Sequence, residues 1–242
     1  MVSWCLATAT KSTTVVKTLT GFLRRLNGKH RLIFLWRSCW MLNAPRNLES
    51  AKRWMTLLNH HRVSIAAMEF FTVPTLTFGV LCCFFIIAHD RRRILHFNVT
   101  KHPTSAWVIQ QLREAFPYDS APGYLIFDRG SQFNEEVIGT IKDFIIQPKR
   151  TSIRSPWQNG VAERRVGSCR RDLLDHVIVL NKQHLKHLMN DDIRYYHEDR
   201  THLALAKGTP AGREAANQSG SGGRVIAMPR LGGLHHRDNL AA

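Results

Sequence analysis

Acidic residues are scarce in this chain of 242 residues, and none occurs before Glu49. Lysine and arginine number 34 against 18 aspartates and glutamates, which gives a net charge of +16 and a pI near 10.4. That imbalance favours polyanionic partners, with phosphate contacts supplying affinity rather than sequence choice. Long apolar runs are missing too. The longest, Phe78–Ala88, has eleven residues, well short of the ~20 that a membrane-spanning helix needs. It reads as a buried strand, and no membrane partner is expected. Cysteine is sparse: five residues, at positions 5, 39, 82, 83 and 169, with no CxxC. An odd count with two neighbours excludes a disulfide framework and fits free thiols in a reducing compartment, most simply the cytoplasm. The acid-free first 48 residues have a faint transit-peptide character, but no amphipathic period accompanies it.

What is present is organised around positions 124–177. Tyr124-Leu125-Ile126-Phe127 is a short β-type run that ends on Asp128, with Arg129-Gly130 turning the chain at once. In α/β folds the end of such a strand is where chemistry collects. Further on, Ser155-Pro156-Trp157-Gln158-Asn159-Gly160 leads into a helical segment carrying Glu163. Asp128 and Glu163 can meet if that helix packs beside the strand, and two carboxylates so placed suit a hard divalent cation.

Around this stretch the pattern predicts three sequential strands, Ser64–Val73, Gly79–His89 and Ile94–Val99, the second apolar throughout because both faces are covered. Thr104–Phe116 has the period of an amphipathic helix, with Trp107, Val108, Ile109, Leu112 and Phe116 as its buried stripe and Thr104 or Ser105 as its cap. A short helix over Glu135–Phe144, a last strand over Lys149–Ile153, the Glu163 helix and a closing helix over His184–His197 follow. Residues 217–224 read as a flexible linker and 225–242 as a basic tail, with His235-His236 solvated.

The phrases FDRGSQF and SPWQNGVAE, with the spacing of their acids, resemble the catalytic core shared by retroviral integrases and bacterial insertion-sequence transposases. The likeness runs over Tyr124–His202, where RYYHEDRTHLAL resembles that family's closing helix, and reaches back to about Trp54. The tail phrase MPRLGGLHHR resembles the end of some bacterial members. Residues 1–53 resemble nothing in it: no helix-turn-helix pair stands there, so a truncated N-terminus or a divergent basic arm is expected. The resemblance implies an α/β, ribonuclease-H-like fold, a mixed five-stranded sheet of antiparallel meander plus parallel strands flanked by helices. It divides the chain into 1–53, a catalytic core over 54–216, and a linker and tail over 217–242.

It further implies three metal-binding catalytic acids. The first falls within the phrase AAM-acid-FFTVPT, where the family has Asp and this chain has Glu69; Asp128 and Glu163 are the others. Two ions, Mg²⁺ or Mn²⁺, would be held there, for cleavage of DNA ends and attack of the freed 3′-OH on target DNA. The extra methylene of Glu69 is expected to impair that chemistry, because Mg²⁺ demands near-ideal octahedral geometry. Arg154, Gln158, Asn159 and Arg170 are candidate DNA contacts, with Asn159 either orienting a ligand or capping its helix. Arg164, Arg165 and Arg171 read as a solvated basic face, and His197, Arg200 and His202 as helix-end packing. The zinc-binding domain of retroviral integrases is not expected, because His60, His61, Cys82 and Cys83 lack ligand spacing.

Partners expected are DNA and further copies of the chain, and the setting a bacterial cytoplasm, in association with the nucleoid. Two other readings stay open. One is an inactive relic that only binds DNA; the other is a nuclease of RNA–DNA hybrids, which the SPWQNGVAE phrase disfavours.

Overall fold

A computed structural model describes residues 48–117, 120–153, 155–213 and 225–240. Cys5, Cys39, most of the basic N-terminal segment, Arg154 and the 217–224 linker lie outside the described residues. No described helix is long and apolar enough to cross a membrane.

Three strands form a meander, β1 (Ile65–Pro74), β2 (Val80–Ala88) and β3 (Ile94–Thr100), and two short ones, β4 (Tyr124–Phe127) and β5 (Gln147–Arg150), extend it. The order is β3-β2-β1-β4-β5, with β1 antiparallel to β2 but parallel to β4, and β4 parallel to β5. This is the mixed five-stranded sheet that the sequence predicts. The residues of β1 alternate between two cores, as a two-residue period must. Ile65, Ala67, Phe71 and Val73 face one layer, while Ala66 and Met68 face the other.

The five α-helices among the described residues divide between those layers. On the first lie α1 (Leu48–His60), α4 (Gly160–Cys169) and α5 (Lys182–Glu198), through Trp54, Ala162, Val166, Leu185 and Met189. On the second lie α2 (Ser105–Ala115) and α3 (Glu135–Asp143), through Val108, Leu112, Val137 and Ile141. Side-chain caps start three of them: Thr104 accepts from Trp107 N, Asn134 from Val137 N and Asn181 from His184 N. Thr104, rather than Ser105, is therefore the cap of α2.

The structure departs from expectation in three places. β5 begins at Gln147, not Lys149, because its pairing with β4 runs from Tyr124↔Gln147 to Phe127↔Arg150 and ends when β4 ends. Pro148 is tolerated because β5 is an edge strand. After Cys169 the helix loosens into a π-type turn over Arg170–Leu174. The tail is also folded: β6 (Val225–Arg230) and β7 (His235–Leu240) make a hairpin.

One carboxylate holds that hairpin. Asp199, with its side chain 3% exposed at the end of α5, receives Arg230 Nε at 2.6 Å and Arg237 Nη1 at 3.2 Å, with Arg213 Nη1 at 3.9 Å. His235 is not solvated: its ring stacks on Tyr195 and its Nε2 lies 3.0 Å from the carbonyl oxygen of Asp172. Asp199→Ala is expected to cost roughly 1–3 kcal/mol, the range for hydrogen bonds to a charged group on half-exposed partners. In hydrogen exchange, the amides of β6 and β7 should lose protection while β1 and β2 keep theirs. Unchanged hairpin protection would contradict this.

Histidines held neutral by the fold tie stability to pH, the buried His89 and the half-buried His197 among them. Burial, with Arg62 and Arg92 nearby, pushes His89 down to about 4. Burial, with Arg165 and Arg93, does the same to His197, whose Nε2 accepts the N–H of Ile94 at 2.8 Å and so must be unprotonated. Between pH 6.5 and 4 the unfolded chain therefore binds more protons than the folded one, and stability is lost as pH falls through that window. Going from pH 7 to 5 should cost about 2 kcal/mol for His89, and less for the partly exposed His197. The urea midpoint reports it, and a flat midpoint over that range would exclude it.

Candidate active site

Glu69 lies in the middle of β1, on the face that carries Ala67 and Phe71 towards α4. Its exposure is 4%, unusual for a carboxylate unless polar groups receive it. They do. Oε2 accepts the Nδ2 amide of Asn159 at 3.0 Å, and Oε1 accepts the backbone N–H of Phe70 at 3.0 Å. Asn159 makes no capping bond to α4; its side-chain amide is spent on Glu69 instead. Its own Oδ1 is buried without a hydrogen-bond partner.

Asp128 is the residue immediately after β4. The parallel pairing of β1 with β4 runs Ile65↔Tyr124, Ala66↔Leu125, Ala67↔Ile126, and continuing that offset by two residues puts Asp128 level with Glu69. Both then fall on the face of Ala67 and Ile126, the α4 side of the sheet. Asp128 Oδ1 accepts the N–H of Gly130 at 2.9 Å, which bends the chain out of the sheet. Arg129 Nε fixes the turn on the carbonyl of Thr151. Glu163 stands in the first turn of α4, half-buried, one residue from the buried Ala162 that packs the helix against the sheet.

These residues suit a hard cation in kind: three carboxylates, an orphaned buried amide oxygen, and no soft donor among them. Among the described residues, however, no three carboxylate, imidazole or thiol groups are gathered closely enough to hold an ion together.

The other expected residues separate. Gln158 is buried: its side chain accepts the N–H of Ser152, and its carbonyl receives Trp54 Nε1 at 3.0 Å. It braces the loop before α4 instead of presenting its amide to solvent, which corrects its reading as an exposed contact. Arg170 Nη2 donates to the carbonyl of Thr72 at 3.0 Å, and its guanidinium lies over the ring of Phe71. Arg154 lies outside the described residues.

Arg165 is the clearest correction. It belongs to no solvated face: 4% exposed, it pairs with Asp192, itself 1% exposed, and lies 4.4 Å from the centre of the Tyr196 ring. The signal was in the sequence. Leu185, Met189, Asp192 and Tyr196 form one buried stripe along α5, and an acid on an apolar stripe calls for a buried cation.

Against known proteins, residues 145–210 match the family model of the integrase core domain. That segment is an integrase-core segment. The match holds the second half of the site, with Asn159 and Glu163, and the closing helix α5. Among solved structures, a chain of the simian T-cell lymphotropic virus intasome in complex with the PP2A regulatory subunit B56 gamma aligns with 74% of this chain and 67% of its own, at 14% identity and a TM-score of 0.51. The HTLV-2 integrase catalytic core domain in complex with magnesium, trimeric form, aligns over 63% and 97% at 13% identity and a TM-score of 0.48. The catalytic core domain of BIV integrase aligns over 62% and 91% at 14% identity and a TM-score of 0.45. The first of these likenesses is one of fold, and it agrees with the mixed five-stranded sheet described above. A search of curated protein sequences finds no match.

Proposed function

We propose that this chain is a transposase- or integrase-type polynucleotidyl transferase, cutting DNA ends and joining the freed 3′-OH to target DNA. Glu69, Asp128 and Glu163 are its catalytic acids. The observation that carries this reading is the buried Glu69 in the middle of β1, held by Asn159 at the start of the helix that bears Glu163, with Asp128 directly after β4, the parallel neighbour of β1. A buried acid such as Glu69 is costly unless polar groups or cations receive it, and the DNA backbone brings its own negative charge to the same place.

Glu69 and Asp128 would share the ions, and Glu163 would complete the set from α4. A divalent cation held there supplies charge neutralisation at the scissile phosphate and activation of the attacking oxygen. The protein's part is positioning: Asn159 orients Glu69, and the Gly130 turn fixes Asp128. DNA and further copies of the chain are the partners, since joining two ends calls for two sites. The phrase MPRLGGLHHR at the hairpin supports a bacterial insertion-sequence origin and, with it, a place on the nucleoid.

A second reading is a DNA-binding relic. It is favoured by the engagement of both Glu69 oxygens with protein donors. The two are separated by incubating the chain with an end-labelled duplex in Mg²⁺, in Mn²⁺ and in chelator. Nicked and strand-transfer products that need the cation support the enzyme. DNA retention with no product under any condition supports the relic.

A further inference from the structure

On the opposite flank of α4 lies a second polar site. Glu163 and Val166 point one way; Val161, Arg164 and Ser168 project from the other side of the helix. There they line a cavity of about 30 Å³ with Arg92, Arg165, Arg200 and His202. Four guanidinium groups meet in this small space. Two are matched, Arg165 by Asp192 and Arg200 by Asp172 at 3.0 Å. Arg92 and Arg164 have no carboxylate within ion-pair distance among the described residues, so two positive charges are in excess. Crowding and burial show in Arg92, which burial and its neighbours Arg164 and Arg62 hold below the usual arginine range.

Two buried atoms lining the cavity also lack partners. Arg165 Nη1 makes no hydrogen bond although its side chain is 3% exposed, and neither does His202 Nε2. A native structure rarely leaves a buried guanidinium nitrogen unpaired, because the desolvation cost is not recovered. An oxyanion between Arg92, Arg164 and Arg165 would meet that nitrogen and the charge excess together. The volume suits one small tetrahedral group, since a single water occupies about 30 Å³ of liquid and less as a probe-sized void.

We propose that this pocket binds a single phosphate group, whether free in solution or on a nucleic-acid backbone. The Ser168 hydroxyl is available to donate beside the three arginines. The inference does not rest on the reading of the three acids, which lie on the other side of α4, and no arm of its test reads DNA cleavage.

The test compares the full chain with the Arg92→Gln/Arg164→Gln double variant at pH 7. Neither side chain is in an ion pair, so the variant should fold and unfold in chloride at or above the wild-type temperature. Sodium phosphate, at the ionic strength of a chloride control, should raise the wild-type unfolding temperature, and calorimetry should show phosphate binding. Loss of two charge-assisted contacts should weaken that binding roughly 100-fold in the variant. No phosphate-specific shift in the wild type, or an equal shift in both, overturns the proposal. Should the variant fail to fold, tungstate soaked into wild-type crystals decides: anomalous density between Arg92 and Arg164 supports the site and its absence refutes it. Given phosphate binding, a single-stranded oligonucleotide distinguishes the sources. Displacement by phosphate from the wild type marks a backbone phosphate, and equal retention by both chains marks a free one.

Discussion

Glu69→Asp is expected to raise end-nicking and strand transfer on the order of 100-fold, the cost that a misplacement of about 1 Å can carry. The longer side chain reaches past its strand to Asn159, whose amide holds Oε2 at 3.0 Å. Aspartate is shorter by one methylene, so it releases that amide and withdraws towards its own strand, beside β4, after which Asp128 follows. The gain should be larger in Mg²⁺ than in Mn²⁺, because Mg²⁺ is the more demanding of geometry. Adding Asp128→Asn to the Glu69→Asp chain should return activity to background. Equal activity of the natural chain and Glu69→Asp would mean that the site accepts the longer acid. Silence in both, with metal affinity untouched by Asp128→Asn, would remove the three-acid centre and leave DNA binding alone.

Asp192→Asn is expected to destabilise the fold by about 3–5 kcal/mol, the range for breaking a buried ion pair from one side. Burial alone would pull Arg165 below the ordinary arginine range, and Asp192 more than offsets that, leaving it raised. Without the carboxylate, a guanidinium with a second unpartnered nitrogen stays behind in the core. For a chain of this size the loss corresponds to a fall in melting temperature of about 10 °C. The double change Arg165→Met/Asp192→Leu should recover most of it, since matched apolar residues often replace a buried pair at little cost. If the double variant is as unstable as the sum of the singles, the pair is not the coupled unit described here.

Much of this was legible in the residues, for a physical reason. The strands announced themselves because β2 is apolar on both faces, and Thr104 and the stripe on α2 obey helical spacing. That β4, and with it Asp128, runs beside β1 could not be read, since it depends on the parallel register of the two strands, which no local pattern encodes. Gln158 and Arg165 were misjudged by type: an amide in a loop and an arginine among arginines suggest solvent, whereas a backbone N–H and Asp192 draw them inward. The hairpin escapes a local reading because its turn carries Leu231-Gly232-Gly233 rather than a two-residue signal, and its strands are short and mostly exposed. What holds it is Asp199, far away in sequence.

That carboxylate changes how the chain should respond to ionic strength. A net charge of +16 suggests many counterions displaced from DNA on binding, and a correspondingly steep dependence of affinity on salt. Arg213, Arg230 and Arg237 already face Asp199, as Arg165 faces Asp192 and Arg200 faces Asp172. Guanidinium groups committed to internal anions displace few ions from a duplex. The slope of log affinity against log salt should therefore count the uncommitted cations of the chain, and fall well below what its formal charge implies.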